Sequence, residues 1–92
     1  MPALSQSDIE SRLRSIPQWH VEGGELTRTF ALKDFVAALA FVNKVGDLAE
    51  TAGHHPDIDI RYNKVRLGLV THDAGGLTGK DFDLAAAVDK LG

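Results

Sequence analysis

Apolar residues recur at helical spacing in three stretches of the chain, and between those stretches apolar and polar residues alternate with a period of two. In the first stretch Ile9, Leu13 and Ile16 share one face. Ser7-Asp8-Ile9-Glu10 has the form of a capping box and predicts a helix that opens near Ser7 and is stopped by Pro17. Residues 19–22 and 26–30 read as strands. Gly23-Gly24 between them suits the positive φ angles of a tight hairpin. Asp34 then caps a long helix over residues 35–52. This helix carries one apolar stripe of Phe35, Leu39, Val42 and Ala49, and a rotated one of Phe41, Val45 and Leu48. A small sheet covers only one of them, so the spare set, Phe41, Val45 and Leu48, predicts a contact with another helix or another subunit. Gly53 suits the left-handed residue that closes the helix.

A second hairpin follows. Ile58, Ile60 and Tyr62 alternate with Asp57, Asp59 and Arg61, and Asn63-Lys64 is the predicted turn. Val65, Leu67 and Leu69 then alternate with Arg66 and Gly68. The loop from His72 to Leu77 leads into a last helix, capped by Thr78 with Asp81 three residues on, whose Phe82, Ala85 and Val88 face inward. The order α-β-β-α-β-β-α predicts an α+β domain, a four-stranded antiparallel sheet with three helices packed on one face. Its edge strands remain open to pairing with another copy.

Size and composition narrow the picture. Ninety-two residues make one domain, residues 1–92, with a modest core. The chain has no cysteine, which excludes disulfides, a thiolate nucleophile and a cysteine-based zinc site. Net charge is −3, with acids and bases intermixed and no basic patch, which argues against nucleic-acid binding. The N-terminus lacks the basic start and apolar core of a signal peptide, and no apolar run approaches the ~20 residues that span a membrane. A soluble, cytoplasmic domain is the expectation.

The candidate chemistry lies in the histidines. Three of the four, His54, His55 and His72, fall beside loop signals. Imidazole exchanges protons near neutral pH without large tuning. A hairpin turning at Asn63-Lys64 sets His72 opposite His55, which draws remote histidines to one end of the sheet. In extended backbone His54 and His55 point apart. Two readings are open: polar loop residues, or a cleft where one imidazole gives a proton and another takes one. Glu50, one turn before the pair, either orients an imidazole or is an exposed helix charge. A zinc site of three imidazoles and a carboxylate is a third reading, weakened by the absence of H-E-x-x-H. Trp19 either stacks on a flat ligand or belongs to the core. Lys80 either attracts an anion or is solvated. Gly75-Gly76 lacks the spacing of a phosphate loop.

Glu50, His54-His55-Pro56, Tyr62, His72 and Asp81 together resemble the spaced motif of the pterin-4a-carbinolamine dehydratases. Leu32-Lys33-Asp34-Phe35, Tyr62-Asn63-Lys64-Val65, Thr71-His72-Asp73 and Gly76-Leu77-Thr78 match as well, and Trp19 stands where that family has a tryptophan. The resemblance runs from about Leu13 to Leu91. It implies removal of water from a 4a-hydroxytetrahydropterin to give the quinonoid dihydropterin, which restores the cofactor of aromatic amino acid hydroxylases. It implies that His54 and His72 share the proton transfers and that His55 positions the pterin. Pro56, Asp73, Trp19 and Lys80 would contact the pterin, with Glu50, Tyr62 and Asp81 in support. Asp73 would hold either the pterin or His72. No metal or other cofactor is implied, since the pterin is the substrate. Lys80 replaces an expected arginine and so loses a paired planar contact. The family further implies a dimer or tetramer and a possible hydroxylase partner. Alternative roles are a non-catalytic interaction module, as in members that help a homeodomain transcription factor dimerise, or a part in molybdopterin metabolism.

Overall fold

The structure is a computed structural model that describes residues 2–91. Helix α1 (Gln6–Leu13) is followed by strands β1 (His20–Glu22) and β2 (Glu25–Ala31), helix α2 (Phe35–Ala52), and strands β3 (Asp57–Arg61) and β4 (Lys64–Leu69). A single 3-10 turn (His72–Ala74) then leads into helix α3 (Gly79–Asp89). The predicted α-β-β-α-β-β-α order and antiparallel sheet are present.

Strand order is β1-β2-β4-β3, every pair antiparallel. The two hairpins thus meet through β2 and β4, with α2 as the connection between them in the chain. As an inner strand, β4 is hydrogen-bonded on both sides. Its Val65, Leu67 and Leu69 are buried, with Leu26 of β2 beside them. Full burial of one such side chain contributes about 1.5–3 kcal/mol. Phe82, Leu84, Ala85 and Val88 of α3, Ala38, Val45 and Ala49 of α2, and Ile16, Trp19 and Leu77 complete the core.

The long helix presents a different face from the expected one. Its buried line is Ala38, Val45 and Ala49, flanked by the partly buried Phe41, Val42 and Leu48. The set Phe41, Val45 and Leu48 is therefore part of the core. The alanines at 38 and 49 let the helix backbone lie close to the sheet, which turns this arc inward. Phe35, Val36 and Leu39 are the large apolar residues of α2 left exposed.

Helix starts follow local chemistry. Asp34 accepts a hydrogen bond from the Ala37 amide at 2.8 Å, and Thr78 and Asp81 form a full capping box on α3. The first helix differs from expectation. Ser5, not Ser7, is its cap, accepting from the Asp8 amide at 3.1 Å. Glu10, the residue a Ser7 capping box would use, instead accepts from the Gln6 side chain at 3.2 Å. The helix also ends at Leu13, well before Pro17, because residues 12–16 tighten into turns with i to i+3 bonds.

The second hairpin turns one residue earlier than predicted. Arg61 pairs with Lys64, so Tyr62 and Asn63 form the turn. Asn63 is clipped to the segment after β2: its side-chain amide donates to the Leu32 carbonyl at 2.9 Å, and the Leu32 amide donates to the Asn63 carbonyl at 2.8 Å. That clip leaves Tyr62 with φ +54°, a left-handed conformation that costs a non-glycine residue roughly 1–2 kcal/mol. Tyr62 is also exposed, so its ring contributes little burial. Tyr62→Gly should therefore raise stability by roughly 0.5–1 kcal/mol after the entropic cost of glycine. An unchanged or lower urea midpoint would show that the turn is not strained.

Candidate active site

The helix closure that ends α2 delivers the first histidine. Gly53 adopts φ +63°, and the His54 amide donates back to the Ala49 carbonyl at 3.1 Å. This reversal turns the His54 ring toward the start of α3. There His54 Nε2 lies 2.5 Å from Asp81 Oδ1. Asp81 is fully buried, and its other oxygen accepts from the Thr71 hydroxyl and from the Thr78 amide, both at 2.9 Å. The Thr71 and Thr78 hydroxyls are themselves 2.8 Å apart. One carboxylate thus holds an imidazole and starts a helix.

His55 points the other way, as expected of adjacent residues in extended chain. Its Nε2 lies 2.5 Å from Glu50 Oε2, and both side chains are exposed. Glu50 therefore holds an imidazole. Pro56, half-buried, carries the chain into β3.

The third histidine arrives from the end of β4, the strand next to β3. After β4 the chain reverses in a tight loop. The His72 carbonyl accepts from the Gly75 amide at 3.0 Å, Gly75 has φ +73°, and Thr71 pairs with Gly76. The N-terminal segment braces this loop, since the Leu4 amide donates to the Leu77 carbonyl at 2.7 Å. His72 and Asp73 stand exposed on it.

These pieces surround an open hollow of about 270 Å³, lined by Gly53, His54, His55, Val70, Thr71, His72, Asp73 and Lys80. That is just under the ~300 Å³ at which small-molecule clefts commonly begin. A second, more apolar hollow of about 320 Å³ adjoins it through His54 and Lys80, between the end of α2 and the start of α3. The predicted pairing of His55 with His72 is displaced. With the turn at Tyr62-Asn63, Asp57 pairs with Gly68, and the ladder points His55 toward Val70 instead. The histidines still converge, because the loop 71–76 folds back beside His54.

Three predicted site residues lie elsewhere. Tyr62 sits at the opposite end of the β3–β4 hairpin, roughly 17 Å of strand away for five residues at ~3.3 Å each. Trp19 is a core residue: it packs edge-on against Phe30 at 6.1 Å, and its indole N–H donates to Asp89 at 2.8 Å. Arg28 lies over Phe30 and donates to the same carboxylate at 2.6 Å. The requirement of a buried indole for a partner and a packed ring explains that position without a ligand. Pro56 shapes the chain without lining the hollow. Thr71 and Thr78, in turn, were not among the expected site residues. Thr78 carries a local signal, the capping pattern with Asp81. Thr71 carries none, because its contact is made across the loop. Among the described residues, no three His, Cys, Asp or Glu side chains come together as a metal-holding set.

Fold and site define a small α+β domain that gathers imidazoles and carboxylates around one hollow at a sheet end. The chain belongs to the pterin 4 alpha carbinolamine dehydratase family, whose sequence pattern matches residues 2–91. It is 62% identical over 91 residues to a protein of Acidobacterium capsulatum named "Putative pterin-4-alpha-carbinolamine dehydratase", with 99% of both chains covered. A protein of the same name from Chloroflexus aurantiacus is also 62% identical, over 99% of this chain and 98% of its own. Among solved structures, a transcriptional coactivator/pterin dehydratase from Brucella melitensis superposes with a TM-score of 0.91 at 33% identity, over 97% of each chain. A pterin dehydratase-like protein described as a RuBisCO assembly factor in the alpha-carboxysome superposes with a TM-score of 0.64 at 26% identity, covering 79% of this chain and 84% of that one.

Proposed function

We propose that this protein dehydrates a 4a-hydroxytetrahydropterin to the quinonoid dihydropterin by imidazole acid–base catalysis, with the pterin ring in the hollow of the three histidines. One observation carries the reading: His54, fixed by the buried Asp81, lines the same hollow as His55 and His72. Hydroxide is a poor leaving group, so the 4a oxygen must gain a proton as its bond to C4a breaks. A ring nitrogen must lose a proton as the new C=N bond forms. Water leaves, and no electrons are exchanged with a second reagent. His54 and His72 share these two transfers. His55, steadied by Glu50, sits at the rim and positions the pterin. Asp73 and Lys80 offer an acceptor and a donor for the polar edges of the ring. The proposed setting is regeneration of the pterin used by an aromatic amino acid hydroxylase. The test is to follow loss of the 4a-hydroxypterin absorbance with and without the protein. A rate equal to the spontaneous one would end the reading.

An interaction role is supported by a separate observation, the exposed apolar patch Phe35, Val36 and Leu39 on α2. We propose that self-association into a dimer or tetramer covers it. Leu39→Glu should then delay size-exclusion elution to that of a monomer while dehydration persists. Unchanged elution would assign the patch no part in assembly.

A further inference from the structure

Thr71 has a single hydroxyl proton, and it goes to Asp81 Oδ2 at 2.9 Å, because a carboxylate only accepts. The 2.8 Å contact between the two threonine hydroxyls must then be made by the Thr78 proton, donated to Thr71 Oγ1. Thr78 Oγ1 in turn accepts from the Lys80 amide at 3.3 Å. The Thr78 amide fills the second place on Oδ2 at 2.9 Å. The chain of donors thus runs one way, from the first turn of α3 through Thr78 and Thr71 onto Asp81. Oδ2 thus accepts from both an O–H and an N–H. The remaining oxygen, Oδ1, faces His54 Nε2 at 2.5 Å. A carboxylate oxygen accepts, so this hydrogen bond is donated by Nε2–H.

We infer that Thr71 is a positioning residue: through Asp81 it fixes His54 in the Nε2–H tautomer, so that Nδ1 is the atom through which His54 moves a proton. The neighbouring histidine has no such anchor. His55 is held by an exposed glutamate, and its ring is 63% accessible. Among the described histidines only His54, whose side chain is 12% accessible, faces a fully buried carboxylate. Valine matches threonine in shape and keeps the backbone bonds of residue 71, but removes the side-chain donor of the two that hold Oδ2.

The catalytic part of this inference rests on the dehydratase reading; the tautomer does not. The experiment is a long-range proton–nitrogen correlation spectrum of the histidine rings in ¹⁵N-labelled protein, beside steady-state kinetics of wild type, Thr71→Val and Thr71→Ser. The expected wild-type spectrum of the neutral ring has His54 protonated at Nε2 and bare at Nδ1. In Thr71→Val the carboxylate is held on Oδ2 by the Thr78 amide alone and can swing away from His54, so the Nδ1–H form should appear. The kcat should fall about 10-fold or more, the scale of one lost hydrogen bond to a charged group, with KM little changed. Thr71→Ser should restore both. A wild-type His54 protonated at Nδ1 overturns the inference, and that measurement needs no variant to fold. So does a Thr71→Val protein whose ring spectrum and kcat match the wild type. If the wild-type protein does not dehydrate the pterin at all, the functional reading fails alone, and the ring spectra still decide for or against the relay.

Discussion

Replacing His54 and His72 together with alanine is expected to lower the dehydration rate by about 10²–10⁴-fold, the usual worth of positioned acid–base groups. The two single variants should each lose nearly as much as the pair, because protonation of the leaving oxygen and loss of the ring proton belong to one turnover. The fold should survive. His72 is exposed on a loop whose bonds are made by backbone atoms, so its removal costs little. His54 is more buried. Its loss deprives Asp81 of one donor but leaves the Thr71 and Thr78 donors in place. Stopped-flow decay of the 4a-hydroxypterin, with circular dichroism on the same samples, makes the check. A folded double variant that turns over at the wild-type rate would remove the histidines from the mechanism.

The second large effect falls on stability. Asp81→Ala should cost about 3–5 kcal/mol, the range for breaking a buried charged contact by removing one partner. Three donors lose their acceptor at once: the His54 ring, the Thr71 hydroxyl and the Thr78 amide that begins α3. For a domain of this size the loss is a large share of a total stability of about 5–15 kcal/mol. The melting temperature should fall by roughly 15 °C or more. Asp83→Ala, two residues on and exposed, is the control and should change stability by no more than about 0.5 kcal/mol. Equal urea midpoints for the two variants would mean that the Asp81 network does not hold the fold. Dehydration by Asp81→Ala should also fall, since nothing then orients His54.

Most of the fold is legible from local rules. Gly23-Gly24, Asp34, Gly53 and the Thr78–Asp81 pair each state their turn or cap within a few residues, and each does so in the structure. What eluded local reading depends on distant contacts. The turn shifts to Tyr62-Asn63 because Asn63 is claimed by Leu32, thirty-one residues away in sequence. The inward face of α2 is settled by where two alanines let it approach the sheet, which stripe counting does not weigh. In the site, His54, His55, His72, Asp73 and Lys80 come together as the spacing and the family resemblance suggest. Trp19 and Tyr62 are equally visible in the sequence yet lie outside the hollow. A motif marks residues that recur together, and recurrence serves packing and turns as readily as chemistry. The Thr71 hydroxyl was invisible because its partners are created by the loop that folds over it.

The placement of β4 in the interior of the sheet has a consequence for biosynthesis. Made in order from the N-terminus, the chain completes its first hairpin and its long helix while the strand that joins the two hairpins is still untranslated. Until Leu69 has left the ribosome, β2 has an unpaired edge and the Ala38–Val45–Ala49 side of the helix has no sheet to rest on. The nascent polypeptide is therefore held back from cooperative collapse until its last quarter is made, and chaperone binding to that unsheltered helix side is favoured during the interval.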